Sequence, residues 1–141
     1  MPNASTLQFL LTLAKGIASQ FGPNCEVVVH DLATNDPERS IVAIENGHVT
    51  GRKVGDGPSH VVLEALRGNP EQLHDHLSYL TRTKDGKILK STTIYIRDDD
   101  GAPIGIFGIN YDITLMLAME ETLRQFTATE KETSEPEPIS R

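Results

Sequence analysis

YLTRTKDGKILKSTTIYIRDDDGAPIGIFGINYD, residues 79–112, reads as three extended runs separated by two turns. Lys84-Asp85-Gly86 separates the first two, and an Asp-Gly step between runs rich in Ile, Thr and Tyr is a strong hairpin signal. Asp98 to Pro103 separates the second and third, where Gly101 tolerates a positive φ and Pro103 ends the turn. The pattern predicts an antiparallel meander with its longest strand, Lys87 to Arg97, in the middle. One face of that strand carries Ile88, Lys90, Thr92, Ile94 and Ile96; the other carries Leu89, Ser91, Thr93 and Tyr95. In the last run Ile104 and Ile106 share one face, Phe107 and Ile109 the other. Apolar residues on both faces mean a sheet covered on both sides.

The flanking chain supplies the covers. Residues 4–21 place Leu7, Leu10, Leu11, Ala14, Ile17, Ala18 and Phe21 on one stripe of an amphipathic helix, with Asn3 or Ser5 as cap and Gly22-Pro23 as stop. Phe9 and Leu13 widen the apolar face, which fits either a broad core-facing helix or a second subunit. Cys25–Leu32 and Ser40–Glu45 are dense in β-branched residues and read as two strands, linked through Asn35-Asp36-Pro37. Asn46-Gly47 and the Gly-punctuated segment HVTGRKVGDGP, residues 48–58, follow. Ser59 opens a helix to Arg67; Asn69-Pro70 opens a second, short one. A last helix is expected from Leu115 to Phe126. The resulting units are an N-terminal helix at 1–21, a core at 22–113, an exit helix at 114–126, and a polar, acidic tail at 127–141 expected to be disordered or a linker.

Twenty Asp and Glu against 13 Lys and Arg give a net charge of −7, which argues against a nucleic-acid grip by this chain. At 141 residues it is one ordinary domain. The single Cys25 cannot form an internal disulfide, no apolar run reaches the length of a membrane span, and no signal-peptide pattern opens the chain. A cytoplasmic location is expected.

Two strands, short helices, then three strands ending in Asp-Ile-Thr before a helix resemble a PAS domain: α+β, a five-stranded antiparallel sheet with short helices on one face and the N-terminal helix on the other. GPNCEVVVHDL (22–32), ENGHVTGRKVG (45–55), KSTTIYIRDDDG (90–101) and GIFGINYD (105–112) are similar to the YheO-like PAS domains. That resemblance implies a sensory domain of bacterial transcriptional regulators. The family's usual C-terminal helix-turn-helix is absent after Phe126, so the chain is either part of a longer protein or works without that partner. The motif names no ligand and no cofactor.

Lys90 and Thr92 are the leading ligand candidates: an ammonium on an apolar strand face must pair, reach solvent or meet a ligand, because burying it alone costs several kcal/mol. His30, on a strand beside Val28, is either a satisfied core histidine or a pocket residue. Asn110 interrupts an apolar strand near its end. Asn46, His48 and Arg52 lie where PAS folds rim their cavity, and Arg52 could clamp a carboxylate. Asp112 and Thr114 can cap the exit helix and so couple the last strand to it. Ligand-binding expectations are thus His30, Asn46, Arg52, Lys90, Thr92 and Asn110, with Asp112 and Thr114 as signal-coupling residues. Asp98-Asp99-Asp100-Gly101 lacks the spacing of a calcium loop, and His74 with His76 makes no zinc set. No nucleophile–base arrangement stands out. The chain therefore reads as a non-enzymatic sensor of a small polar metabolite that signals as a homodimer; a ligand-free dimerisation or protein-interaction module of the same fold is the alternative.

Overall fold

A computed structural model of the chain describes residues 4–33, 36–130 and 135–140; the proposed cap Asn3 and the turn residue Asn35 lie outside them. Helix α1 (Ala4–Phe21) precedes strands β1 (Cys25–Asp31) and β2 (Ile41–Glu45). Helix α2 (His60–Leu66), strands β3 (His76–Arg82), β4 (Ile88–Arg97) and β5 (Pro103–Asp112), and helix α3 (Thr114–Thr127) follow. The short helix expected at Asn69 is a single 3-10 turn, Pro70–Gln72, whose Glu71 N–H donates to the Asn69 side chain. Ser59 caps α2, accepting from the Val62 N–H.

The meander forms as its turns dictate. Gly86 and Gly101 take φ of +90° and +84°, and Asp98 Oδ1 accepts from both Asp100 N and Ala102 N to tighten the second turn. The sheet order is β2-β1-β5-β4-β3, with every neighbouring pair antiparallel. β5, the last strand, is central, and it pairs with the first, Val27 opposite Ile109. β4 is central to the meander but sits one place from the sheet edge.

Helices cover both faces. On one, Leu10, Ala14 and Ala18 of α1 pack on Cys25, Val27, Val29 and Phe107. On the other, Val62 and Leu66 of α2 pack with Leu73, Tyr95 and Ile106. Alternation thus sends neighbours such as Val27 and Val28 to different covers. Among the described residues no helix is long and apolar enough to cross a membrane.

Candidate functional site

The face under α2 is not filled. An inner hollow of about 280 Å³ lies over β1, β5 and β4, lined by Val28, His30, Arg52, Leu89, Ile106 and Asn110 among others. It runs outward into a wider groove of about 900 Å³ between α2 and β3, with Val62, Tyr79 and Thr93 bordering both. Tyr79 and Thr93 join their hydroxyls at 2.7 Å, and Thr81 and Ser91 at 2.8 Å, so this part of the wall is polar but internally bonded. Gly108 contributes by having no side chain: a Cβ there would stand 2.9 Å from the nearer methyl of Val28.

Glu26 organises the polar end. It is inward-facing on β1 and fully buried. Its Oε1 accepts from Arg52 Nη2 and from Asn110 Nδ2, both at 2.9 Å. Its Oε2 accepts from the Thr50 N–H at 3.1 Å and the Thr50 hydroxyl at 2.5 Å. Four bonds fill roughly the four acceptor positions of a carboxylate. An ionised side chain tolerates such burial only when paired and hydrogen-bonded this way. Arg52 also donates from Nε to Thr50 Oγ1 at 3.0 Å, and its side chain is 23% exposed.

The Gly-punctuated segment is what brings Arg52 here. Asp56 O accepts from Ile41 N and Ile41 O accepts from Gly55 N, folding residues 47–57 back along β2. Gly47 and Gly57 are required by closeness: a Cβ on either would lie 2.5 Å from a backbone oxygen, of Arg52 and Glu38 respectively.

His30 is 2% exposed, and its Nδ1 lies 2.8 Å from the hydroxyl of Ser40, which is itself fully buried. Burial first, and the positive charge of Arg52 second, hold its pKa down at about 3. The imidazole is therefore neutral at physiological pH. No hydrogen-bond partner meets its Nε2 among the described residues, and that edge of the ring opens on the hollow.

The other expected site residues divide sharply. Asn110 and Arg52 line the hollow with His30. Lys90 does not: it is exposed, on the α1 face. The reason is cover, since α1 lies over β1 and β2 and leaves the β3–β4 end of that face open; Leu80, paired with Lys90 across the ladder, is 68% exposed there. The inference from a buried ammonium therefore falls. Thr92 alternates to the same face; its backbone borders the hollow while its hydroxyl accepts from Ser78 N at 3.0 Å, serving the bulge in β3. Asn46 ties backbone together, donating to Gly22 O at 3.2 Å and Cys25 O at 2.8 Å, and it borders neither cavity. His48 is exposed, and its carbonyl accepts from Lys87 Nζ. Among the described residues no group of three His, Cys, Asp or Glu side chains could hold a metal.

Asp112 and Thr114 form a clasp at the start of α3. Asp112 Oδ1 accepts from the Thr114 N–H at 3.0 Å and from its hydroxyl at 2.6 Å. The Thr114 hydroxyl oxygen in turn accepts from Ile88 N at 2.9 Å. The helix start is thus bonded to the end of β5 and the beginning of β4. Asn110 and Asp112 are two apart on β5, so the hollow and the clasp share one strand face.

Sequence reasoning passed over Glu26, Ser40 and Thr50. A usable signal existed for the first: in CEVVVHD the acid alternates with Val28 and His30, so a strand buried on both faces must hold it inside.

Comparison with known proteins bears on the same elements. A protein of Haemophilus influenzae described only as uncharacterized is 36% identical over 115 residues, 82% of this chain and 50% of that protein. YheO of Escherichia coli K12, also uncharacterized, is 38% identical over 106 residues, 70% of this chain and 40% of that one. The transcriptional regulator DauR of Pseudomonas aeruginosa is 28% identical over 136 residues, covering 96% of this chain and 61% of DauR. The chain thus spans about half the length of the curated relatives it matches. Among solved structures, a light-oxygen-voltage domain superposes with a TM-score of 0.48 at 19% identity, over 82% of this chain and 94% of that one. The sequence profile of the YheO-like PAS domain matches residues 1–128. With the five-stranded sheet and both helical covers in place, that match over nearly the whole chain makes it a member of the YheO-like PAS domain family.

Proposed function

We propose that this chain is the sensory domain of a bacterial transcriptional regulator: a non-catalytic, cytoplasmic receptor for a small polar metabolite. Residues 22–113 form the receptor core and α3 the output. The observation that carries this reading is the inner hollow, where His30, Arg52 and Asn110 converge beside the apolar Val28, Leu89 and Ile106. Ile113, with no side-chain bond, takes the cap position expected of Asp112 or Thr114. Asn110 nevertheless belongs to the strand whose last residue, Asp112, accepts from the first N–H of α3, so occupancy that pulls on Asn110 acts on Asp112 and Thr114. A ligand with different affinity for two positions of β5 would bias two arrangements of α3. The name of the relative DauR supports a role in transcription, with DNA contact made by other parts of the intact regulator.

Homodimerisation through the terminal helices completes the reading. Phe9 and Phe21 on α1, and Leu115, Met119, Leu123 and Phe126 on α3, are each more than half exposed. Apolar surface on that scale marks an interaction face. The same surface favours the second reading, a ligand-free interaction module.

A thermal-shift screen across amino acids, organic acids, nucleosides and sugars separates the two. A ligand at 100 times its Kd adds about 2.7 kcal/mol to stability, enough to move the melting temperature by several degrees. With the hit bound, hydrogen exchange should change at residues 112–127. If no compound moves the transition while light scattering still finds a dimer, the receptor reading is lost and the interaction module stands.

A further inference from the structure

The charge lining the inner hollow is opposite to that of the chain. Net charge is −7, yet among the described residues no Asp or Glu lines the hollow, while Arg52, Arg82 and Lys84 do. Glu26 stands behind Arg52 and Asn110 with its acceptor positions taken, so a ligand cation would have to displace bonds that keep a buried carboxylate satisfied. Arg82 and Lys84 are exposed at the mouth, where they raise the local concentration of anions.

The proton inventory of His30 adds direction. The Ser40 hydroxyl is fully buried, and its bond is to Nδ1. Were it to accept from an Nδ1–H, its own proton would be left buried without an acceptor, a loss of about 1–3 kcal/mol. Ser40 therefore donates to Nδ1, which puts the imidazole proton on Nε2, the nitrogen open to the hollow. Because burial and Arg52 keep the ring neutral, the N–H it offers is a fixed donor across the physiological range.

We infer that the inner hollow selects a small carboxylic acid, bound as its anion: the carboxylate accepts from His30 Nε2–H beside Arg52, and an apolar body packs on Val28, Leu89 and Ile106. The inference rests on the receptor reading above and narrows it to one ligand class. At about 280 Å³ the space lies just below the range of roughly 300–1,000 Å³ typical of drug-sized ligands, which fits a metabolite of a few carbons. An ammonium beside the carboxylate counts against binding, since among the described residues no acidic group lines the space to receive it.

Calorimetry and thermal shift with 3-methylbutanoate and 4-methylpentanoate, each beside its amide, and with valine and leucine, their respective amino acids, provide the test. At least one anion should bind ten-fold or more tightly than its amide and than the amino acid of like skeleton. Its affinity should fall several-fold in the exposed double variant Arg82→Glu/Lys84→Glu, and its binding should shift the His30 Nε2–H resonance. Amides or amino acids binding as well as the acids would overturn the inference, as would indifference to the mouth variant; the receptor reading survives both. If none of these compounds binds but another class in the broad screen does, only the carboxylate assignment falls. If nothing binds at all, the receptor reading falls too.

Discussion

The two faces of this sheet are built from alternate residues of the same strands and end in opposite states. Val27, Val29 and Phe107 meet α1 in a closed apolar layer, while Glu26, Val28 and His30 meet the Gly-punctuated segment and α2 around a hollow. The β1 members of both sets are buried, so burial alone does not distinguish a core from a site. What distinguishes them is the cover. An 18-residue helix lays a continuous stripe of small and aliphatic side chains on one face. A seven-residue helix, a single 3-10 turn and a loop folded on its glycines cover the other, and they leave space. Most polar groups on that second face are satisfied by one another, which lets the space remain open with His30 Nε2 as the group left to face it.

The sharpest way to break the contrast is to remove the Arg52 side chain. Arg52→Ala leaves Glu26 buried with its cationic partner gone, and urea denaturation should show a loss of about 3–5 kcal/mol. A loss below 1 kcal/mol would mean that water reaches Glu26 and that the second face is wetter than described.

Next in size is the acid response of His30. Its folded pKa of about 3 lies below the unfolded value near 6.5, so below pH 6.5 the unfolded chain takes up a proton that the folded chain refuses. Stability contributed by the neutral ring is full above pH 6.5 and is lost as pH falls toward 3, at up to about 1.4 kcal/mol per unit. Relative to wild type, His30→Gln should lose less stability between pH 7 and pH 4.5, by a few kcal/mol. Parallel profiles for the two proteins would show that the ring is charged or solvated in the fold.

Smaller again is the contrast between neighbours. Val27→Ala opens a void in a closed layer, whereas Val28→Ala enlarges a hollow that already exists and loses fewer packing partners. The first should cost about 1 kcal/mol more than the second. Equal costs would imply that the hollow closes in solution. Smallest of all is Lys90→Ala, expected within about 0.5 kcal/mol of wild type and without effect on ligand affinity, because the side chain is exposed on the far face.

Lys90 shows where reading the chain stopped. Alternation put it correctly beside Ile94 and Ile96, but that face proves to be the one under α1 and not the one under α2, where the cavity was expected. What alternation does not carry is how far a cover reaches, and α1 stops short of β4's N-terminal half. Asn46 is a similar case: position after β2 suggested a cavity rim, but its amide reaches two backbone carbonyls of the α1–β1 connection instead. Arg52, Asn110 and His30 were legible as polar residues in places where polarity needs a reason, and the fold brings them together.

By itself the sequence determined the elements and their order: Asp-Gly turns set the meander, helical spacing set α1 and α3, and two-residue alternation set which strand residues share a face. These are short-range consequences of backbone sterics and side-chain period. Tertiary structure alone decided that Glu26 pairs with Arg52 and Asn110, 26 and 84 residues away, that Ser40 meets His30 Nδ1, and that one face closes while the other keeps a hollow. Those outcomes depend on how far each cover extends and on which distant groups meet once water is excluded, and no local pattern in the chain encodes either.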